Sequence, residues 1–203
     1  MNPFYQGARF LTAAARLADA PADRGREIAF AGRSNAGKSS AINALCHQSG
    51  LARTSKTPGR TQQLIFFSLD QERRLVDLPG YGYAKVAAAI KHQWQHLMID
   101  YLERRQSLVG LVVLMDVRHP LTDLDEQVLG WGEQSGLPVL ILLTKADKLR
   151  RGPASAVREQ VVATTRGAKH TRVELFSAVT RQGLETVQRC LDNWLDIAPA
   201  PPA

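Results

Sequence analysis

Gly32-Arg33-Ser34-Asn35-Ala36-Gly37-Lys38-Ser39 is the stretch that decides the fold. It fits G-x-x-x-x-G-K-[ST]. A short apolar run, Glu27–Ala31, precedes it, and a helical pattern from Lys38 to about His47 follows. Strand, glycine-rich loop and helix in that order make a cradle for phosphate. The glycines let backbone N–H groups turn inward, and the helix start adds its partial positive charge. In such a loop Lys38 reaches the outer phosphates and the Ser39 hydroxyl is placed for Mg2+. Ser40 continues the first helical turn.

Working outward, strand and helix patterns alternate. Gln63–Leu69 and Arg73–Leu78 read as a strand pair. Ala87–Arg105 is helical, with Ile90, Trp94, Leu97, Met98, Tyr101 and Leu102 on one side. Leu108–Met115 and Pro138–Leu143 are continuous apolar runs, as expected of strands buried on both faces of a parallel sheet. Thr122–Asp125 has capping-box spacing and opens a helix reaching Ser135. Ala154–Thr165 is helical, Arg172–Phe176 is the last strand and Gly183–Leu195 the last helix. This alternation means an α/β domain with a mostly parallel sheet, here of six strands. Residues 1–24 read as an N-terminal extension with one short element around Ala8–Ala18. Residues 25–195 form the domain, and 196–203 are a Pro/Ala-rich tail.

In such sheets, ligands bind beyond the carboxyl ends of the strands. The chemically unusual residues lie there. Asp77-Leu78-Pro79-Gly80 follows a strand; its carboxylate suits Mg2+ held through water, and the Gly80 N–H suits a γ-phosphate. Thr144-Lys145-Ala146-Asp147 follows another. A carboxylate at Asp147 accepts from guanine N1 and N2, a donor pair adenine lacks at that edge, and an unpaired buried carboxylate rejects the wrong base. The Lys145 stem suits the base face. Ser177-Ala178 closes the series with a backbone N–H for guanine O6.

The four elements in this order resemble the signature of the GTPase superfamily, in a Ras-like P-loop fold. That resemblance asks for a threonine before the second strand. Thr61 is the choice, Thr57 the competitor, with Gly59 in the same loop. Thr61 would complete Mg2+ coordination only with γ-phosphate present, so Gly50–Gln62 and Pro79–Ala89 would be switches. Thr144 stands where N-K-x-D has Asn; its hydroxyl still suits a bridge to the phosphate loop.

The wording GRSNAGKSS, TSKTPGRTQ, DLPGYGYAK, DVRHPLTDLD and TKADK resembles the EngB (YihA/YsxC) family of ribosome-biogenesis GTP-binding proteins, of the TRAFAC class, over about residues 25–195. The resemblance implies GTP hydrolysis to GDP, with Lys38, Thr61, Gly80 and Asn35 as the catalytic set. It also implies Mg2+ as cofactor, the large ribosomal subunit precursor or its rRNA as partner, and a monomer acting in the cytoplasm. The resemblance further implies a link to the cell cycle and septation. Tyr81 stands where Ras-like enzymes place a water-orienting Gln, so slow intrinsic hydrolysis is expected. Asn35 has two readings: a ligand of activating K+, as in potassium-dependent relatives, or a residue that shapes the loop through its own hydrogen bonds.

The remaining features set bounds. The 203 residues suffice for one core, burying about 70% of the unfolded chain's surface. The net charge of +7 fits a polyanionic partner, or equally a basic soluble enzyme. Cys46 and Cys190 fit no metal spacing and point to a reducing compartment. No apolar run reaches membrane-spanning length, so membrane insertion is not expected. Arg73, Arg74, Arg104 and Arg105, with other basic clusters, read as solvated charge. Asp116-Val117-Arg118-His119 lies at the ligand end of a buried strand, without a role assignable from sequence.

Overall fold

The computed structural model describes residues 2–52, 63–82, 88–168 and 170–198, without the side chains of 88–94. Its elements are β1 (Arg9–Ala14), β2 (Arg26–Gly32), α1 (Lys38–Leu45), β3 (Leu64–Ser68), β4 (Arg73–Asp77), α2 (Ala88–Arg104), β5 (Leu108–Asp116), α3 (Asp123–Gln134), β6 (Val139–Thr144), α4 (Arg151–Thr164), β7 (Thr171–Leu175) and α5 (Leu184–Leu195). The strands form one sheet of order β1-β3-β4-β2-β5-β6-β7. Strands β4, β2, β5, β6 and β7 run parallel, while β3 and β1 are antiparallel to their neighbours.

The sheet has seven strands rather than the six expected. The seventh, β1, comes from the segment before residue 25. Its sequence, RFLTAA, is weakly strand-like, and pairing with β3 determines its conformation. The register slips between Phe10 and Thr12, a bulge that leaves both Phe10 and Leu11 exposed. Upstream, the buried Tyr5 donates its hydroxyl to Asp192 of α5 at 2.7 Å, docking the N-terminal segment on the domain.

Side chains alternate across β2 and divide the core in two. Ile28 and Phe30 pack with Ile42 and Leu45 of α1 and with Val187 and Leu191 of α5. Ala29 and Ala31 face the other side, with Met98 and Tyr101 of α2, Val128 of α3 and Val161 of α4. The chain leaves β2 toward β3 and β4 on one side and returns to β5 on the other. That reversal opens a crevice at the carboxyl end of β2.

At the opposite end of β2, Glu27 is fully buried. Its Oε1 accepts from Arg74 at 2.9 Å and Arg105 at 2.7 Å. Its Oε2 accepts from Arg105 and the Tyr101 hydroxyl, each at 2.9 Å. The two guanidiniums also donate to the carbonyls of Arg24 and Pro21. Arg74 and Arg105 are therefore internal partners of a buried carboxylate, not the solvated charge expected. Arg73 is also committed, to Asp70 and to the carbonyls of Leu195 and Asp196. Arg104 alone of the four remains largely exposed, near Asp100.

Removing one partner of such a cluster leaves buried charge uncompensated. Glu27→Gln is expected to lower unfolding free energy by about 3–5 kcal/mol, read from the urea midpoint at unchanged slope. Arg104→Ala should stay within about 0.5 kcal/mol.

Candidate functional site

The β2–α1 loop sits in the crevice. Gly37 has φ +98°, a backbone only glycine takes without strain, and lets the chain turn into α1. Asn35 takes the left-handed conformation as well, at φ 62°. The first helical bond runs from the Ala41 amide to the Gly37 carbonyl. The amides at the start of α1 thus precede the helical ladder, where a helix offers its N–H groups to an anion. Lys38 lies at the mouth of this loop.

Asp77 ends β4 beside it. Its Oδ1 is 3.6 Å from Lys38 Nζ, an ion pair longer than a hydrogen bond. That oxygen is buried and finds no hydrogen-bond partner among the described residues. Burial pushes the Asp77 carboxyl above its ordinary range, against the pull of Lys38. A Cβ on Gly80 would stand 3.4 Å from Lys38 Nζ and 3.6 Å from the Ser34 amide nitrogen, so glycine keeps the loop mouth open.

Tyr81 follows, stitched to the loop through its backbone: the Ser34 amide donates to the Tyr81 carbonyl at 2.8 Å. Its side chain is fully buried, and its hydroxyl donates to Asp125 of α3 at 2.8 Å. Asp125 Oδ2 accepts from the Thr122 amide and hydroxyl, closing the helix start. The phenol is thus buried, with its hydroxyl on the start of α3.

On the other side, the buried Thr144 hydroxyl donates to the Ala36 carbonyl at 2.6 Å, with the Met115 carbonyl at 3.1 Å. Lys145, at φ 56°, carries its Nζ to the Asn35 carbonyl at 2.8 Å. Both residues therefore bind the phosphate loop directly. Asp147 accepts from the Ser177 hydroxyl at 2.6 Å, and Lys148 Nζ lies 3.2 Å from its other oxygen. The Ser177 hydroxyl, then Lys148, hold the Asp147 carboxyl below its ordinary range. Ala178 lies half-buried beside Ser177.

The structure thus brings Asp77 and Gly80 to Lys38, Thr144 to Ala36 and Lys145 to Asn35, and pairs Asp147 with Ser177. Thr57, Gly59 and Thr61 lie outside the described residues, as do Arg53, Lys56, Arg60 and Lys85 of the two segments expected to act as switches. Asp116, to which the sequence assigned no role, is joined to this loop cluster. It ends β5 opposite Thr144 in the parallel register. Its Oδ2 lies 3.0 Å from Lys145 Nζ. Arg118 grips both Asp116 oxygens, at 2.9 and 2.6 Å. Hydrogen bonds from Arg118, then Lys145, hold the Asp116 carboxyl well below the ordinary range.

A doubly wound sheet with this loop at its switch point, and a fixed carboxylate beside it, defines a P-loop GTPase domain. Residues 27–145 match the family described as 50S ribosome-binding GTPase. The "Probable GTP-binding protein EngB" of Salmonella paratyphi B is 52% identical over 203 residues, spanning 98% of this chain and 95% of the relative. The protein of the same name from Nitrosococcus oceani is 52% identical over 198 residues, 97% of this chain and 99% of the relative. The crystal structure of a probable GTP-binding protein engB shares the fold at TM-score 0.66 and 18% identity, over 85% of this chain and 100% of that one. The chain belongs to the EngB family of GTP-binding proteins.

The Thr144 bond carries a direct test. Thr144→Val keeps the shape and leaves the buried Ala36 carbonyl without its donor, a loss of about 1–3 kcal/mol. The melting temperature should fall by about 2–4 °C per kcal/mol, and Thr144→Ser should recover most of it.

Proposed function

We propose that this protein is a nucleotide-controlled switch in large ribosomal subunit assembly. It binds GTP and GDP in the β2 crevice and hydrolyses GTP slowly in the presence of Mg2+. One observation supports the guanine reading most: the Asp147 carboxylate, held by Ser177, stands in a loop whose neighbours Thr144 and Lys145 bond the phosphate loop. Base edge and phosphates are read by one connected unit. The Asn35–Ser40 amides take the phosphate oxygens, and Lys38 lies over the β- and γ-phosphates. Asp147 accepts from guanine N1 and N2, and the Ala178 amide meets O6.

The donor set fits a hard cation. The buried Asp77 Oδ1 lacks a hydrogen-bond partner among the described residues, and Ser39 lies in the first turn of α1. Ser39, with Thr61, would hold Mg2+ directly and Asp77 through water. Bound there, Mg2+ supplies neutralisation of charge on the β- and γ-phosphates.

Hydrolysis adds water to the γ-phosphorus and breaks its bond to the β–γ bridging oxygen. Lys38 and the Gly80 amide stabilise charge on the phosphates as that bond breaks. The inward Tyr81 leaves the position after Gly80 without a water-orienting group, so turnover of the protein alone is slow. Single-turnover hydrolysis should run below about 1 s−1, a rate ordinary for complete enzymes. Asn35 faces the same chemistry: a faster rate in KCl than in NaCl at equal ionic strength assigns it to a monovalent cation, and equal rates assign it to loop shape.

The ribosomal partner is supported by the family description and by the +7 charge. Co-sedimentation with large subunits, in GDP and in a non-hydrolysable GTP analogue across a salt series, tests it. Binding should require the analogue and fall steeply with salt, as phosphate contacts do. Salt-insensitive binding favours an adaptor for a protein partner; no binding in either state overturns the ribosomal role.

A further inference from the structure

We propose that Asp116 and Arg118, which lie outside the phosphate-binding and base-reading motifs, are positioning residues for the guanine nucleotide, acting through Lys145. The proposal rests on the guanine reading above. Lys145 and Asn35 are both non-glycine residues in the left-handed region, at φ 56° and φ 62°. A side chain persists in that conformation only where its surroundings hold it. The bond from Lys145 Nζ to the Asn35 carbonyl joins the two strained residues across the base end of the crevice. One bond to a carbonyl leaves a long, flexible side chain free to swing. The second anchor is Asp116 Oδ2, at 3.0 Å.

Asp116 is itself immobilised. It ends β5, in register with Thr144, and the Val117 amide donates to the Thr144 carbonyl at 3.0 Å. Its carboxylate accepts from the Arg118 amide, Nε and Nη2, a forked grip that fixes the plane of the group. The Asp116 side chain is only 18% exposed, so its pairing is screened less than a surface ion pair's. The chain of contacts runs Arg118, Asp116, Lys145, Asn35. It starts just past the end of β5 and ends in the phosphate loop. Cutting it at Asp116 frees the Lys145 stem from the base face and lets both left-handed residues relax. Neither outer residue contacts the base edge, so discrimination at Asp147 should survive.

The test uses the full-length protein and a fluorescent GDP derivative. Asp116→Asn keeps the shape but weakens both anchors; GDP release should speed about tenfold, and KM for GTP should rise by a similar factor while kcat changes less than twofold. Arg118→Ala should speed release several-fold, with partial rescue by Arg118→Lys, which restores the charge without the fork. The preference for GDP over IDP, which lacks the 2-amino group, should be the same in every variant. Release within twofold of wild type in both Asp116→Asn and Arg118→Ala overturns the proposal, as does an equal loss of GDP preference, which marks general loosening of the site. Arg118 is 46% exposed, so Arg118→Ala carries the test if Asp116→Asn does not fold. A wild-type protein that binds neither nucleotide fails the guanine reading itself, a result separate from either variant outcome.

Discussion

A carboxylate with no access to solvent anchors this domain. Glu27 sits at the foot of β2, and an ionised group so deep is tolerated only when its lone pairs are filled. Two arginines and a tyrosine fill them, drawn from β4, α2 and the turn after it. The same guanidiniums reach back to the chain before β2. One charge thus fastens three stretches of chain to the central strand. The other end of that strand carries the phosphate loop. The rigidity of the crevice begins about five residues below it.

At the crevice the linking interactions change character. Beside the side-chain pairs Ser177–Asp147 and Lys38–Asp77, two links run from a side chain of one motif to a main-chain carbonyl of another: Thr144 to Ala36, Lys145 to Asn35. Carbonyls do not depend on residue type, so the loop can vary in side chains while its position is held. Tyr81 adds a third link. Its backbone is stitched to the phosphate loop, while its phenol is committed to Asp125 at the start of α3. Displacement of Gly80 in either direction must therefore be felt by α3.

The parallel core and the described loops at its strand ends were legible because each is local. An apolar run of the right length and a glycine at the right offset suffice to locate a strand and its loop. The unforeseen features depend on residues far apart in the chain. Strand β1 is an alanine-rich hexapeptide that becomes a strand only against β3. Arg74 and Arg105 look like surface charge until Glu27 is placed between them, although a glutamate heading an apolar run was a sign that cations would be needed inside. The inward turn of Tyr81 rests on Asp125, and the role of Asp116 on Lys145. For Asp116 a usable signal existed: a carboxylate followed two residues later by arginine, at the ligand end of a buried strand.

An open sheet has two margins, and each is a template on which a foreign strand could dock. Here the β1 margin is broken where Leu11 has no partner in β3, so its ladder of donors and acceptors falls out of step partway along. The β7 margin carries Arg172 and Glu174, charges that an incoming strand would have to accommodate. Broken spacing at one border and charge at the other suppress edge-to-edge polymerisation. The apolar Phe10 and Leu11 are thereby displayed beside a border that is hard to extend.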